Sequence, residues 1–225
     1  MWLKKGGATI NEYRLVCDEI ERKLDLPISF EGCYKWIVFL NSRINPMLPV
    51  LNRYYGVFED GSLKVRGIDL RRHDAPNIVK DCQRDMLSIF SEANNSSEFM
   101  ALIPKALEVM QLYVLRLRTG RVSLEDLILE KRLSKNPDEY THHVEQAIAA
   151  DNLVKEGGSV HGGQTVSYVI ASPSRVWNNR VIPVELLDER TGYDSEKYVT
   201  LLLSSAMNLL LPFGYDLQHL RKYAA

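Results

Sequence analysis

Two tyrosines and an arginine pair on one stiff segment are the residues here most suited to chemistry. They lie between Leu51 and Asp74, in LNRYYGVFEDGSLKVRGIDLRRHD. Asn52, Arg53 and Tyr54 open the segment, and Arg71, Arg72, His73 and Asp74 close it. Cationic forks and aromatic faces at such spacing suit a surface that grips a phosphate backbone. Other chemistries lack their residues. The run GGSVHGG at Gly157–Gly163 has no Lys-Ser/Thr after it and precedes a strand pattern, so it reads as a loop rather than a phosphate cradle. His142 and His143 are adjacent, which on a helix turns them about 100° apart and away from a shared metal. His73, His161 and His219 have no Cys or His at ligand spacing. No Ser-His-Asp order, GxSxG or HExxH is present. Glu125-Asp126 and Asp188-Glu189 read as solvated charge in turns.

The elements that must position these residues follow from pattern. Asn52–Phe58 is aromatic and β-branched, Glu59-Asp60-Gly61 is a turn with Gly61 free for positive φ, and Leu63–Leu70 is the return strand. Asp74 is a candidate N-cap for a helix from Pro76 to about Ser91, with Ile78, Val79, Cys82, Met86, Ile89 and Phe90 inward. Phe99–Leu117 is helical, with a kink or restart expected at Pro104. Arg116, Arg118 and Arg121 at its end complement the helix dipole. Leu124–Leu133 reads as turn and strand, Asp138–Leu153 as a helix and Thr165–Ala171 as a strand. The region from Trp177 to Leu187 is irregular, and Tyr193-Asp194-Ser195-Glu196 opens a helix to about Leu211. Upstream, Trp2-Leu3 looks like part of a strand. Thr9 opens an amphipathic helix to Leu24, with Tyr13, Val16, Ile20 and Leu24 on one face. Ile28–Leu40 reads as two strands broken near Gly32, and Asn41–Val50 as a proline-bearing linker.

Bulk properties narrow the classes. A chain of 225 residues with 45% hydrophobic and 25% charged residues can bury one substantial core. A net charge of −1 confines any nucleic-acid role to a local basic face. Cys17, Cys33 and Cys82 form no CxxC, which points to reduced thiols. No run reaches membrane-spanning length and Met1–Lys5 lacks a signal core, so a cytoplasmic place and no membrane contact are expected. The fold class expected is α+β. Residues 1–40 supply a strand, a helix and two strands, which is less than a domain. They are expected to complete a sheet belonging to another polypeptide, the alternative being a compact subdomain on this chain.

The run YKWIVFL followed by NRYYGVFEDGSLKVRGIDLRRHDAP resembles the palm-to-thumb junction of family B DNA polymerases, archaeal ones above all. The resemblance continues collinearly through LEDLILEKRLSKNPDEYTHHV, GQTVSYVI, the Arg180 region and YDSEKYV to FGY. It implies an incomplete palm edge with one helix in residues 1–50 and a mostly helical thumb with short strands in 51–225. The chain also resembles the small polypeptide of a naturally split methanogen polymerase. That would leave no catalytic residue in this chain. A large catalytic polypeptide would hold the aspartates and Mg²⁺, and primer–template DNA would be the substrate.

Residue by residue, the resemblance implies DNA contacts for Asn52 (where the family has lysine), Arg53, Tyr54, Arg71, Arg72, Ser134, Lys135, His143 and Arg180. It implies an accessory metal role for Glu31, with pairing to a nearby Lys or Arg as the alternative. The ending HLRKYAA has no Gln-x-x-apolar-x-x-aromatic-aromatic tail, so a sliding clamp stays open as a partner. The expected function is a subunit of a DNA-directed DNA polymerase, inactive alone. The alternative is a non-catalytic DNA-binding or regulatory polymerase remnant.

Overall fold

The computed structural model describes residues 6–42, 44–45, 47–141, 144–171, 180–188 and 191–225. It is an α+β structure in which two three-stranded antiparallel sheets flank a helical core. The strand expected at Trp2-Leu3 and the start of the Trp177 region lie outside the described residues.

The first helix, α1 (Ile10–Leu24), begins at a complete capping box. The Thr9 hydroxyl accepts from the Glu12 amide, and the Glu12 carboxylate accepts from the Thr9 amide at 2.6 Å. Asp25, in the left-handed conformation, ends it. The two strands expected in Ile28–Leu40 are in fact one, β1 (Tyr34–Asn41). The expected linker is a hairpin loop, because β2 (Pro49–Phe58) starts at Pro49 and returns antiparallel along β1. A boundary at residue 50 therefore falls inside a strand, and residues on both sides of it share one sheet. The return strand is shorter than expected. β3 spans Leu63–Arg66, after which a 3-10 turn holds Asp69–Arg71. The β2–β3 turn is as expected: Gly61, at φ 87°, donates its N–H to the Phe58 carbonyl at 2.9 Å.

β2 is the centre of this sheet, in the order β1-β2-β3. Alternation sends Tyr55 to the helical side and Tyr54 to the other. Tyr55 packs with Trp36, Phe90 and Phe99, and the Trp36 indole N–H donates to the Ala93 carbonyl at 3.0 Å. The helices are α2 (Asn77–Ser91), α3 (Ser96–Arg118) and α5 (Ser195–Leu210). Pro76, not Asp74, is the N-cap residue of α2. Its fixed φ of −61° suits the helix entry, and no side chain caps there. α3 runs unbroken through Pro104.

The second sheet, in the order β4-β5-β6, comprises β4 (Leu129–Arg132), β5 (Thr165–Ile170) and β6 (Val181–Pro183). α4 (Glu145–Lys155) packs beside it and is shorter than expected, because Pro137–Glu139 forms a separate 3-10 turn. The sheet is tied to the core at Tyr198, whose hydroxyl accepts from the Ile170 amide at 2.9 Å. A last helix, α6 (Leu217–Tyr223), follows a 3-10 turn at Leu211–Phe213.

Gln83 shows how the pieces are locked. Its side chain is 1% exposed, accepts from the Leu70 amide at 2.8 Å and donates to the Ser205 carbonyl at 3.0 Å. It thus joins the end of the hairpin to α5 through α2. Gln83→Leu fills the same space and leaves both backbone groups unpaired. We expect a loss of roughly 2–4 kcal/mol in urea unfolding. A loss under about 0.5 kcal/mol would show that water replaces the amide.

Candidate nucleic-acid interface

The basic segment at the end of the hairpin is organised by Asp74. Its carboxylate takes a two-pronged contact from Arg72, with Nε at 2.8 Å and Nη2 at 2.7 Å, and a further contact from the Lys131 ammonium. Arg72 also reaches Asp69 at 3.4 Å. The hydrogen bonds from Arg72, with those from Lys131, hold the Asp74 carboxyl well below the usual carboxylate range. Lys131 lies on β4, so this carboxylate clamps the hairpin to the second sheet, 57 residues further on. Bidentate guanidinium pairing fixes direction as well as distance.

Arg53 is equally committed. Its guanidinium donates to the Asn41 carbonyl at 2.6 Å, the Gly67 carbonyl at 3.2 Å and the Asn208 side chain at 3.3 Å. It binds three elements together instead of projecting. Tyr54 is 2% exposed and sits beside Phe39 on the outer face of the sheet. Arg180 meets Asp194, which also caps α5 by accepting from the Lys197 amide at 3.0 Å. Glu31 pairs with Lys64 at 2.5 Å on the surface. Among the described residues no group of three His, Cys, Asp or Glu side chains is placed to hold a metal ion. Asn52 and Arg71 are exposed. His143 lies outside the described residues.

Ser134 and Lys135 crown the second sheet, just beyond β4. The Ser134 amide donates to the Tyr140 hydroxyl at 2.9 Å, and the Lys135 ammonium sits 5.0 Å from the centre of the Tyr140 ring. The glycine run packs against them. The Gly162 amide donates to the Asn136 side chain at 2.9 Å, and the Gly163 amide to the Leu133 carbonyl at 2.8 Å. A Cβ on Gly162 would lie 2.9 Å from the Lys135 carbonyl carbon, so only glycine fits without moving that backbone. Beside them Arg132 is exposed, with its Nε on the Gly163 carbonyl at 2.8 Å.

The tip therefore gathers Lys131, Arg132, Ser134 and Lys135, of which sequence reading singled out only the last two. The run Lys131-Arg132 was visible. Its nearness to Asp74 and to the glycine run was not, since both contacts are tertiary.

Exposed cations, a hydroxyl and backbone amides are groups suited to phosphate oxygens rather than to base edges. The family model for DNA polymerase family B matches residues 25–213. The chain belongs to DNA polymerase family B.

Relatives and structures agree. The chain is 26% identical to the DNA polymerase of Archaeoglobus fulgidus over 96% of its own length and 28% of that protein. It is 26% identical to the DNA polymerase of Thermococcus litoralis over 87% of its length and 11% of that protein. The solved family B DNA polymerase from the hyperthermophilic archaeon Pyrobaculum calidifontis shares its fold. That superposition has a TM-score of 0.66 at 22% identity, over 95% of this chain and 26% of that one. The chain thus spans little more than a quarter of the Archaeoglobus and Pyrobaculum proteins.

Two outcomes test this geometry. The Asp74 carboxyl titrates lower in the folded chain than its ordinary value of 3.8, so its contribution is full above that value and fades as pH falls through the folded value. Asp74→Asn is expected to cost roughly 1.5–3 kcal/mol at neutral pH, and the gap to wild type to narrow below about pH 4. A pH-independent gap would show that the charge is not what matters. Gly162→Ala is expected to cost about 1–3 kcal/mol through backbone displacement at Lys135, read by thermal unfolding.

Proposed function

We propose that this chain is the palm edge and thumb of a DNA-directed DNA polymerase, holding the primer–template duplex for aspartates carried on a larger catalytic polypeptide. The observation that carries this reading is the family match over residues 25–213, which includes a tip where Arg132 and Ser134 are exposed and Lys135 is half-buried beside them. Family B enzymes work with divalent metals, but the carboxylates described here do not assemble a site for one, and Glu31 is engaged with Lys64. In this reading Mg²⁺ belongs with the partner chain, and no step of the chemistry runs through these residues. Their work is positioning. Tip cations and the exposed Arg71 neutralise backbone phosphates, and the clamped hairpin fixes the angle between tip and palm edge.

Within this reading the implied contacts divide. Asn52, Arg71, Ser134 and Lys135 reach solvent and touch DNA. Arg53, Arg72 and Arg180 brace the protein, and Tyr54 supports the sheet. Such contacts are blind to sequence and weaken with salt. A sliding clamp has no separate support in the described C-terminal helix. A cytoplasmic place fits the reading.

The second reading is a DNA-binding or regulatory remnant. Asn52 favours it, because an amide replaces the family's lysine and one charge-assisted contact is lost.

Primer extension separates the two. This chain alone is expected to incorporate no nucleotide, and addition of the large polypeptide from the same source is expected to restore synthesis. Incorporation by the isolated chain would sink the assignment of roles, and a stable but inactive complex would favour the remnant. In the active complex, Lys135→Ala and Arg71→Ala should each weaken duplex binding and reduce the slope of log affinity against log salt by about one. An unchanged slope removes that residue from the interface.

A further inference from the structure

We infer that His161 is a further phosphate contact of the tip, and that it takes up a proton when duplex DNA binds, so that the grip tightens as pH falls. This rests on the proposed duplex-holding role of the tip. It extends that role to the glycine run, to which Asn52, Arg71, Ser134 and Lys135 assign no part.

The run is a fixed loop. The His161 amide donates to the Gln164 side chain at 2.8 Å, and the His161 carbonyl accepts from the Gln164 amide at 3.2 Å. On one side the Gly162 amide ends on Asn136 and the Gly163 carbonyl holds Arg132. On the other the Gly158 amide donates to the Leu153 carbonyl of α4 at 2.9 Å. His161 is therefore one residue from a backbone seated directly against Lys135 and Asn136. A contact made from a loop already ordered loses little conformational freedom on binding.

The imidazole is exposed, and its Nε2 lies 3.1 Å from the Ser159 hydroxyl. Among the described residues no carboxylate pairs with the ring, and Nδ1 meets no partner. The elements packed on the loop bring Arg132, Lys135, Glu139 and Tyr140 from the β4 side, and Lys155 and Glu156 from the end of α4. Of the two carboxylates, Glu139 accepts from the Asn136 side chain at 3.2 Å. A neutral imidazole has one N–H and one lone pair, so with Nε2 engaged by Ser159 it offers a phosphate at most one neutral donor. The imidazolium keeps Ser159 through Nε2–H and presents Nδ1–H with a full charge, the stronger partner for a phosphate oxygen. An anion beside the ring favours that charged form, and histidine ordinarily titrates closest to neutral pH. The contact is therefore fully present at low pH and is lost as pH rises through the range where the DNA-bound ring gives up its proton.

Duplex affinity of the complex with the large polypeptide, measured at about pH 5.5 and about pH 7.5 over a salt series, tests it. His73 and His143 titrate in the same range, so wild type is compared with His161→Gln and His161→Arg. On lowering the pH, the wild-type dissociation constant should fall at least about threefold further than that of His161→Gln, and its slope of log affinity against log salt should steepen by up to about one unit more. His161→Arg, charged at both pH values, should lose the same share of pH dependence and bind more tightly than His161→Gln at about pH 7.5. Both variants change an exposed side chain and should keep the wild-type melting temperature, and either alone carries the comparison. Equal pH dependence in wild type and variants overturns the inference, as does a His161→Arg chain that binds no tighter than His161→Gln at the higher pH. The proposed function then stands if Lys135→Ala or Arg71→Ala weakens binding in the same assay. Failure of the two polypeptides to associate, or an affinity that neither of those substitutions lowers, overturns both.

Discussion

The hydroxyl of Tyr55 donates to the carbonyl of Leu209 at 2.8 Å, and much of the molecule follows from that bond. It joins the middle of the first sheet to the last turn of α5 across 154 residues. Tyr55 is fully buried, and burial drives its hydroxyl far above the ordinary range, so it remains a neutral donor. A donor at that depth needs an acceptor, and a helix carbonyl close to a C-terminus is one left without an intrahelical partner. The ring then fixes Trp36, Phe90 and Phe99, and Phe99 reaches Phe213. Strand, two helices and the C-terminal turn meet on one aromatic cluster. Gln83 and Arg53 repeat the arrangement nearby, each ending on α5.

That construction separates rigidity from contact. Two of the hairpin's cations are spent on geometry, Arg53 on three acceptors and Arg72 on Asp74 and Asp69. Guanidinium groups engaged this way give little to a passing phosphate, because removing them from their carbonyl or carboxylate acceptors costs much of what the phosphate returns. What they supply is orientation. Asp74 holds Arg72 at the hairpin's end and Lys131 on the distal sheet, so the tip cannot swing without breaking a charged, partly buried pair. The contacts proposed above fall instead to Asn52, Arg71, Ser134 and Lys135, the last two on a backbone that Gly162 shapes.

This division explains what the sequence made legible. Helices with a 3.6-residue stripe were clear, and so was the turn at Gly61, since both signals are local. The Thr9 capping box and Asp194 cap were readable for the same reason. β1 pairing with β2 was hidden by two prolines close together in sequence, which read as a linker until Pro49 is seen to start the paired strand. Asp74 looked like a helix cap or an arginine brace; it braces Arg72 two residues before it, and its second partner, Lys131, lies 57 residues away and was not visible in the sequence. Tyr54 and Tyr55 were indistinguishable in type. Alternation puts them on opposite faces, and no pattern in the chain reveals that both rings are buried. The family resemblance placed Arg180 in a DNA-facing role, whereas only the fold brings Asp194 to its guanidinium.

The burial of Tyr54 bears on Asn52. If the neighbouring tyrosine were a free hand reaching for the primer, loss of the lysine charge would weaken a contact made by two independent side chains. Instead Tyr54 is packed beside Phe39 and Arg53 is tied to Asn41, Gly67 and Asn208. Asn52 is then the one member of the trio that stands exposed on a braced strand. An amide there keeps a donor and an acceptor at a fixed point while giving up long-range attraction. The consequence of that exchange is local. In the proposed role it would lower the electrostatic share of duplex binding at the junction and leave more of it to the cations of the distal tip, whose direction the Asp74 clamp sets.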